Sequence, residues 1–318
     1  MLESASREAA TADARAIVDG VPADVLPHAH HETRARRFLD AIAAGRRTRG
    51  AALLGVVNIT PDSFSDGGRY LDRDRAIAHA RELVAAGASL VDVGAESTKP
   101  GAAPVPESEQ LRRALPVVEA LAPEMAITID TTSGVVARAC LEAGAVAVND
   151  VSGGVDVCLA QAAAELNAGY ILSHARRGQS TMAGFGAWPE DAYREVVGEV
   201  RKELRDARAR LVAAGVLDEA IVLDPGLGFT KSYMQSARLL AATAQLVSDG
   251  PVLIGASRKS FLTLAARAAG PDDRLAASLS AALWARREGA SIVRVHDVAA
   301  TVQAFAMDQV LEEARAHA

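Results

Sequence analysis

From Leu53 onward the chain repeats one pattern eight times: a short, β-branched apolar run ending in polar residues, then an alanine-rich stretch of helical character. The runs lie at 53–59, 90–94, 126–130, 145–149, 170–173, 221–224, 252–256 and 292–295. Helical stretches at 74–86, 108–121, 133–143, 189–214, 233–248 and 272–288 fall between them. Each run is short and almost continuously apolar, as expected of parallel strands covered on both faces. Gly87, Gly144, Gly215 and Gly289 follow helical stretches, where a left-handed C-cap is wanted. Eight strand–helix units predict an α/β fold of the (β/α)8 TIM barrel type. The barrel is expected over 51–318, after an N-terminal extension at 1–50.

That extension is rich in Ala, Arg and His and has no strand-like run. A short helix is expected from Thr33 to Ala44, with Phe38, Leu39 and Ile42 as its apolar side, packed across one end of the barrel. His28, His30 and His31 cluster without nearby cysteine, which favours a solvated loop over a metal site. Half of the 318 residues are hydrophobic, enough for a large core without disulfides. The net charge of −6 and the lack of a basic tract argue against nucleic acid as a partner. No apolar run is long enough to span a membrane, and no secretory signal opens the chain, so a cytoplasmic protein is expected. Cys140 and Cys158 lack metal-ligand spacing and read as buried free thiols.

The polar residues concentrate at the carboxyl ends of the runs: Asn58, Glu96, Asp130, Asn149 with Asp150, His174, Asp224, Arg258 with Lys259, and Arg294 with His296. A barrel gathers such ends into one mouth, whereas a doubly wound sheet concentrates ligands at one switch point. Gly226-Leu227-Gly228 lacks the third glycine of a dinucleotide fingerprint, and Arg258 stands where a P-loop before Lys259-Ser260 needs glycine. The turn-rich segment 58–68 carries Asn58, Asp62 and Asp66, oxygen donors suited to a hard cation such as Mg2+. With the loop at 95–101 it forms a pair of expected lids. Arg294 and His296 alternate on the last run and sit just before a helix starting near Val298, which makes an anion pocket.

The segments 58–68, 96–101, 148–154, 223–229, 257–261 and 294–297 together resemble the signature loops of the dihydropteroate synthases, over about residues 53–310. The resemblance implies displacement of pyrophosphate from a hydroxymethyl-dihydropterin diphosphate by the amine of p-aminobenzoate. It assigns the pterin and its diphosphate to Asn58, Thr98, Asp130, Asn149, Asp224, Lys259, Arg294 and His296. Lys259, Arg294 and His296 are the groups expected to act in catalysis, with Asn58 contacting Mg2+. The p-aminobenzoate side falls to Thr98, Lys99, Pro100, Phe229 and Ser257, with Lys259 between both substrates. The chemistry agrees: a carboxylate such as Asp224 accepts two parallel bonds from a guanidine-like edge, and Asn149 can donate or accept. The resemblance also implies a homodimer and sensitivity to sulfonamide mimics of p-aminobenzoate.

Several positions depart from the family. Lys99 replaces an arginine, and Ser173 and Ala175 flank His174 where methionines are usual. Thr132 and Ser133 replace a bulkier pair, Gln235 and Ser236 replace a His-Asn type pair, and Ala95 replaces a glycine. Two alternatives therefore stay open, a pterin-binding paralogue without catalysis and a pterin-dependent methyltransferase barrel.

Overall fold

The computed structural model describes residues 33–59, 69–96, 104–176, 188–265 and 270–317, without the side chains of 69–72. Thr98, Lys99, Pro100, Asp62, Asp66 and the histidines at 28, 30 and 31 lie outside the described residues.

Eight parallel strands form the sheet: β1 (Ala52–Asn58), β2 (Leu90–Gly94), β3 (Ile127–Asp130), β4 (Ala147–Asp150), β5 (Gly169–Ser173), β6 (Ile221–Asp224), β7 (Leu253–Ile254) and β8 (Ile292–Val295). Their order is β6-β5-β4-β3-β2-β1-β8-β7. A parallel bridge between Leu223 and Val252 joins the two ends, with the Leu223 N–H donating to Pro251 O at 2.8 Å. This is the (β/α)8 barrel that the eightfold pattern predicts. Helices α1 (Arg34–Arg49), α2 (Arg69–Ala85), α3 (Glu107–Leu121), α4 (Gly134–Glu142), α5 (Val157–Glu165), α6 (Val196–Ala213), α7 (Tyr233–Ala241), α8 (Thr243–Val247), α9 (Leu275–Arg287) and α10 (Val298–Ala316) accompany the strands. The four glycines expected at helix ends all have positive φ, between 90° and 113°.

Some boundaries differ from expectation, for local reasons. The stretch 189–214 is not one helix, because Glu195 caps the backbone N–H groups of Val197 and Gly198 and starts α6 there. The stretch 233–248 breaks at Ala242 into α7 and α8. Cys140 is a buried free thiol, but Cys158 is exposed in the first turn of α5.

The side chains of each strand alternate between two cores. Leu53, Val57, Val91, Val93, Ile127, Ile129, Val148, Tyr170, Leu172, Ile221, Leu223, Ile254 and Val293 face the helices. Leu54, Leu90, Ala147, Ile171, Val222, Leu253 and Ile292 face inward and fill the lower half of the barrel. Two residues further along the same inward rows stand Asp92, Asn149, Ser173, Asp224 and Arg294. The barrel interior is thus apolar below and polar above.

Helix α1 closes the lower end. Thr33 caps it through Oγ1, and Phe38 and Ile42 join the inward apolar cluster. Leu39 is only partly buried, while Ala35 and Gly45 complete the packed side. A Cβ on Gly169 would stand 2.2 Å from Phe38 Cδ1, so only glycine lets β5 pass this ring. Thr33–Ala318 form one compact unit, which includes α1. Phe38→Ala is expected to lower stability by about 3–5 kcal/mol, read by denaturant unfolding, because a fully buried ring leaves a cavity that the rigid strands cannot close. A loss below ~1 kcal/mol contradicts the plug.

Candidate active site

The upper, inward layer is built around one guanidinium. Arg294, on β8, donates from Nε to Asp92 Oδ2 at 2.7 Å and from Nη2 to Asp130 Oδ2 at 3.1 Å. Asp92 also accepts from Asn149 Nδ2 at 2.9 Å and from the Thr128 hydroxyl. Burial penalises the Arg294 charge, but the two carboxylates outweigh it and hold its pKa above the usual value. Asp130 is pushed the other way, to about 8, first by burial and then by the neighbouring Asp92 charge. Both causes favour its neutral form. Its Oδ1 is buried and has no hydrogen-bond partner among the described residues. A buried polar atom without a partner costs free energy, so this one marks a place for a ligand.

Across the mouth, Asp224 ends β6. Its Oδ2 accepts from Ser173 Oγ and its Oδ1 from the Gly226 N–H, both at 2.8 Å. The chain then turns sharply at Gly226 (φ 64°), where a Cβ would lie 2.1 Å from His174 O. This turn is why Asp-Pro-Gly follows the strand. Lys259 reaches over from the loop after β7 and donates to Leu227 O at 2.6 Å, with Nζ 4.8 Å from the centre of the Phe229 ring. Burial lowers its pKa to about 8, and the charges of Asp224, Arg294 and Asp130 all bear on it. Asp224, Lys259 and Arg294 thus lie close enough for the charges of Asp224 and Arg294 both to act on Lys259. Phe229 is buried there beside Val151 and Ala175.

Ser257 and His296 form a pair at the rim. Ser257 Oγ accepts the His296 N–H at 3.2 Å and lies 3.0 Å from Nδ1. The hydroxyl proton is then free for Nδ1, which leaves the histidine's hydrogen on Nε2. Burial and the Arg294 charge lower the His296 pKa to about 4. His296 therefore presents a neutral N–H donor at the rim, and Ser257 spends its hydroxyl on holding it.

Four of the polar strand tips do not join the opening. Asp150 binds the Ser152 and Gly154 N–H groups and the Tyr170 hydroxyl. Glu96 accepts from the Val105 N–H at 2.8 Å and from Gln110. Arg258 pairs with Asp297 and Asp272. His174 turns toward Glu203 and Lys231, at 2.8 and 2.9 Å. Lys231 is fully buried, also donates to Phe229 O at 2.9 Å, and has its pKa lowered to about 7 by burial. Two departures from the expected family pattern pin the same loop. Ser236 Oγ accepts from the Gly228 N–H, and Gln235 caps α7 and donates to Pro189 and Glu190 carbonyls. Sequence reading passed over Asp92 and Lys231. Asp92 shares the inward parity of Leu90 and Gly94, which is the signal that exposes it.

For a metal, the described residues offer no group of three His, Cys, Asp or Glu side chains. Asn58 ends β1 beside this layer: a Cβ on Gly94 would lie 3.6 Å from both Asn58 Oδ1 and Asp130 Cβ. One amide oxygen suits a hard cation only when its other ligands come from the substrate or water.

The family described as "Pterin binding enzyme" matches residues 54–296. The chain is 46% identical over 261 residues to the dihydropteroate synthase of Mycobacterium leprae, covering 80% of this chain and 90% of that protein. Among solved structures, the Xanthomonas albilineans dihydropteroate synthase with 4-aminobenzoic acid aligns at TM-score 0.75 and 38% identity, over 82% of this chain and 93% of that one. The Burkholderia cenocepacia dihydropteroate synthase complexed with 7,8-dihydropteroate aligns at 0.75 and 39%, over 84% and 94%.

The buried lysine gives a signed test. Lys231 has a folded pKa of about 7 against an ordinary 10.5. Between these values the unfolded chain holds a proton that the folded chain lacks, so this group makes stability rise with pH, by up to about 1.4 kcal/mol per unit. Asp130 acts in the opposite sense up to about pH 8, and Lys259 in the same sense above it. Denaturant titrations at pH 8 and 9 should therefore show a shallower rise for Lys231→Met, by roughly one proton's worth. Equal slopes contradict the assignment.

Proposed function

The chain belongs to the dihydropteroate synthases, and on that premise we propose how its own residues divide the reaction. It is a transferase that joins a hydroxymethyl-dihydropterin diphosphate to p-aminobenzoate and releases pyrophosphate. The observation that carries the division of labour is the polar layer above an apolar barrel floor, with Asp224, Asn149, Lys259 and Arg294 around one opening.

In this reading Asp224 accepts two parallel bonds from the 2-amino edge of the pterin, since its oxygens retain lone pairs beside Ser173 and Gly226. Asn149 reads a further ring edge. Asp130, pushed toward its neutral form, meets a ring nitrogen through the oxygen that lacks a partner. Lys259 donates to the pterin carbonyl or a ring nitrogen and faces the incoming amine. Arg294 uses Nε and Nη2 on the carboxylates and keeps Nη1 for the diphosphate, alongside the Nε2–H of His296 and the start of α10. The bond from the exocyclic carbon to the diphosphate oxygen breaks, the amine nitrogen bonds to that carbon, and the amine loses a proton. No side-chain nucleophile takes part: the site stabilises charge as the leaving group departs. Phe229 offers a ring face to p-aminobenzoate, and Thr98, Lys99 and Pro100 complete that side, while Ser257 is engaged in holding His296. Asn58 would supply one oxygen to a Mg2+ ion, which would neutralise charge on the departing diphosphate.

Two copies pair through the groove between α7, the 260–264 turn and α9, whose lining includes Leu240, Phe261, Leu264, Ala281 and Trp284. Trp284 and Leu264 are each about half exposed in the single chain, an apolar surface that pairing would cover. No helix among the described residues is long and apolar enough to cross a membrane; the two free cysteines fit a reducing, cytoplasmic home. Sedimentation should give twice the 33.0 kDa chain mass, and Trp284→Glu should shift it to the single-chain mass. A wild-type species at 33.0 kDa contradicts the dimer.

The activity test uses purified protein, the pterin diphosphate, p-aminobenzoate and Mg2+. Pyrophosphate release should require p-aminobenzoate. Lys259→Ala and Asp224→Ala, each checked for folding, should lower kcat/KM at least about tenfold, the effect of losing ~1.4 kcal/mol of transition-state binding. Near-normal rates in both variants remove these assignments. Release without p-aminobenzoate argues against the transfer.

A further inference from the structure

Three donors from three different strands end on one carboxylate that has no exposed surface. Asp92 takes Arg294 Nε and Asn149 Nδ2 on Oδ2, at 2.7 and 2.9 Å, and the Thr128 hydroxyl on Oδ1. It sits one inward step above Leu90, which belongs to the apolar floor. A carboxylate in this position only accepts, so the Asn149 amide must turn its NH2 group toward Asp92 and its carbonyl oxygen away. The amide's polarity is thereby decided before any ligand enters. The Arg294 plane is decided in the same way, by Asp92 at Nε and Asp130 at Nη2.

We propose that Asp92 is a positioning residue for the pterin transfer: it makes Asn149 present an acceptor, so that the site selects a pterin edge bearing N–H, and it fixes Arg294 toward the diphosphate. This rests on the substrate reading above. Asp92 itself touches neither substrate. Its effect should therefore fall on pterin affinity and on leaving-group departure, and spare p-aminobenzoate. Replacing it by asparagine keeps the shape but removes the charge that Arg294 faces and leaves one acceptor atom in place of two; with the NH2 group at the Oδ2 position, Arg294 Nε and Asn149 Nδ2 both lose their partner. Exchanging the two residues, Asp92→Asn with Asn149→Asp, restores the hydrogen bond between the two positions with donor and acceptor reversed, but sets an NH2 group against Arg294 Nε, so the rescue it gives is of pterin affinity and not of kcat. It leaves the net charge unchanged and still offers the mouth an oxygen at position 149.

The experiment is calorimetric titration of the full-length protein with 6-hydroxymethylpterin, beside steady-state kinetics. Asp92→Asn should weaken pterin binding at least tenfold and lower kcat at least tenfold, with the KM for p-aminobenzoate changed less than threefold. The exchange variant should recover pterin affinity to within fivefold of wild type. Pterin binding by Asp92→Asn within threefold of wild type overturns the proposal. So does an equal loss in both substrates, which is what a merely structural residue would give. If Asp92→Asn does not fold, the exchange variant decides: recovery supports the proposal, and failure to fold or bind overturns it. A wild-type chain that binds no pterin overturns the substrate reading and this proposal together. Normal wild-type binding with an unaffected Asp92→Asn overturns this proposal alone.

Discussion

Arg294 is shared by Asp92 and Asp130, at 2.7 and 3.1 Å, and the mouth is arranged around that contact. Charged groups inside a barrel are tolerated only when paired and hydrogen-bonded, since each pays a desolvation cost that a lone partner seldom covers. Here one cation faces two carboxyls, and burial together with the Asp92 charge pushes the Asp130 carboxyl toward its neutral form. The outcome is a polar layer that nearly satisfies itself and leaves one buried oxygen, Asp130 Oδ1, open to a guest. A flat heterocycle with alternating donors and acceptors suits such a layer, because every group it meets is already held in direction.

That rigidity depends on what lies beneath and beside it. The inward floor of Leu54, Leu90, Ile171, Val222 and Ile292, closed by Phe38 of α1, excludes water from below. Low polarity there strengthens the contacts above it. On the far side, Lys231 and His174 tie the loop after β6 to its neighbours from inside, through the Phe229 and His174 carbonyls. This loop carries Phe229 and receives Lys259 at Leu227 O. The two walls of the opening are thus fastened by different means, one by a shared guanidinium and the other by a buried amine.

Much of this could be read from the residues alone, and the limits have physical causes. The eightfold alternation fixed the barrel because strand and helix periods are properties of local sequence. Asp130, Asn149, Asp224, Lys259 and Arg294 were recognisable because they stand at strand ends, where the fold must bring them together. Asp92 was hidden because it lies inside an apolar run, where its parity with Leu90 and Gly94 is the one mark of the face it joins, and the register with β1 and β3 bears that face out. Asp150, Glu96, Arg258 and His174 were misleading for the converse reason. A strand tip gives a residue its place but not its direction, and loop N–H groups or nearby carboxylates claimed these four first. Ser173, a departure from the family's usual methionine, turned out to brace Asp224, a contact between neighbouring strands that no linear motif records.

The most direct test is a crystal structure of the protein with a pterin diphosphate analogue bound. The account requires the ring to lie between Asp224 and Asn149, the Asn149 carbonyl oxygen to meet a ring N–H, and the Arg294–Asp92 contact to persist. A pterin bound elsewhere, or Asn149 turned with its NH2 group to the ring and away from Asp92, would contradict it.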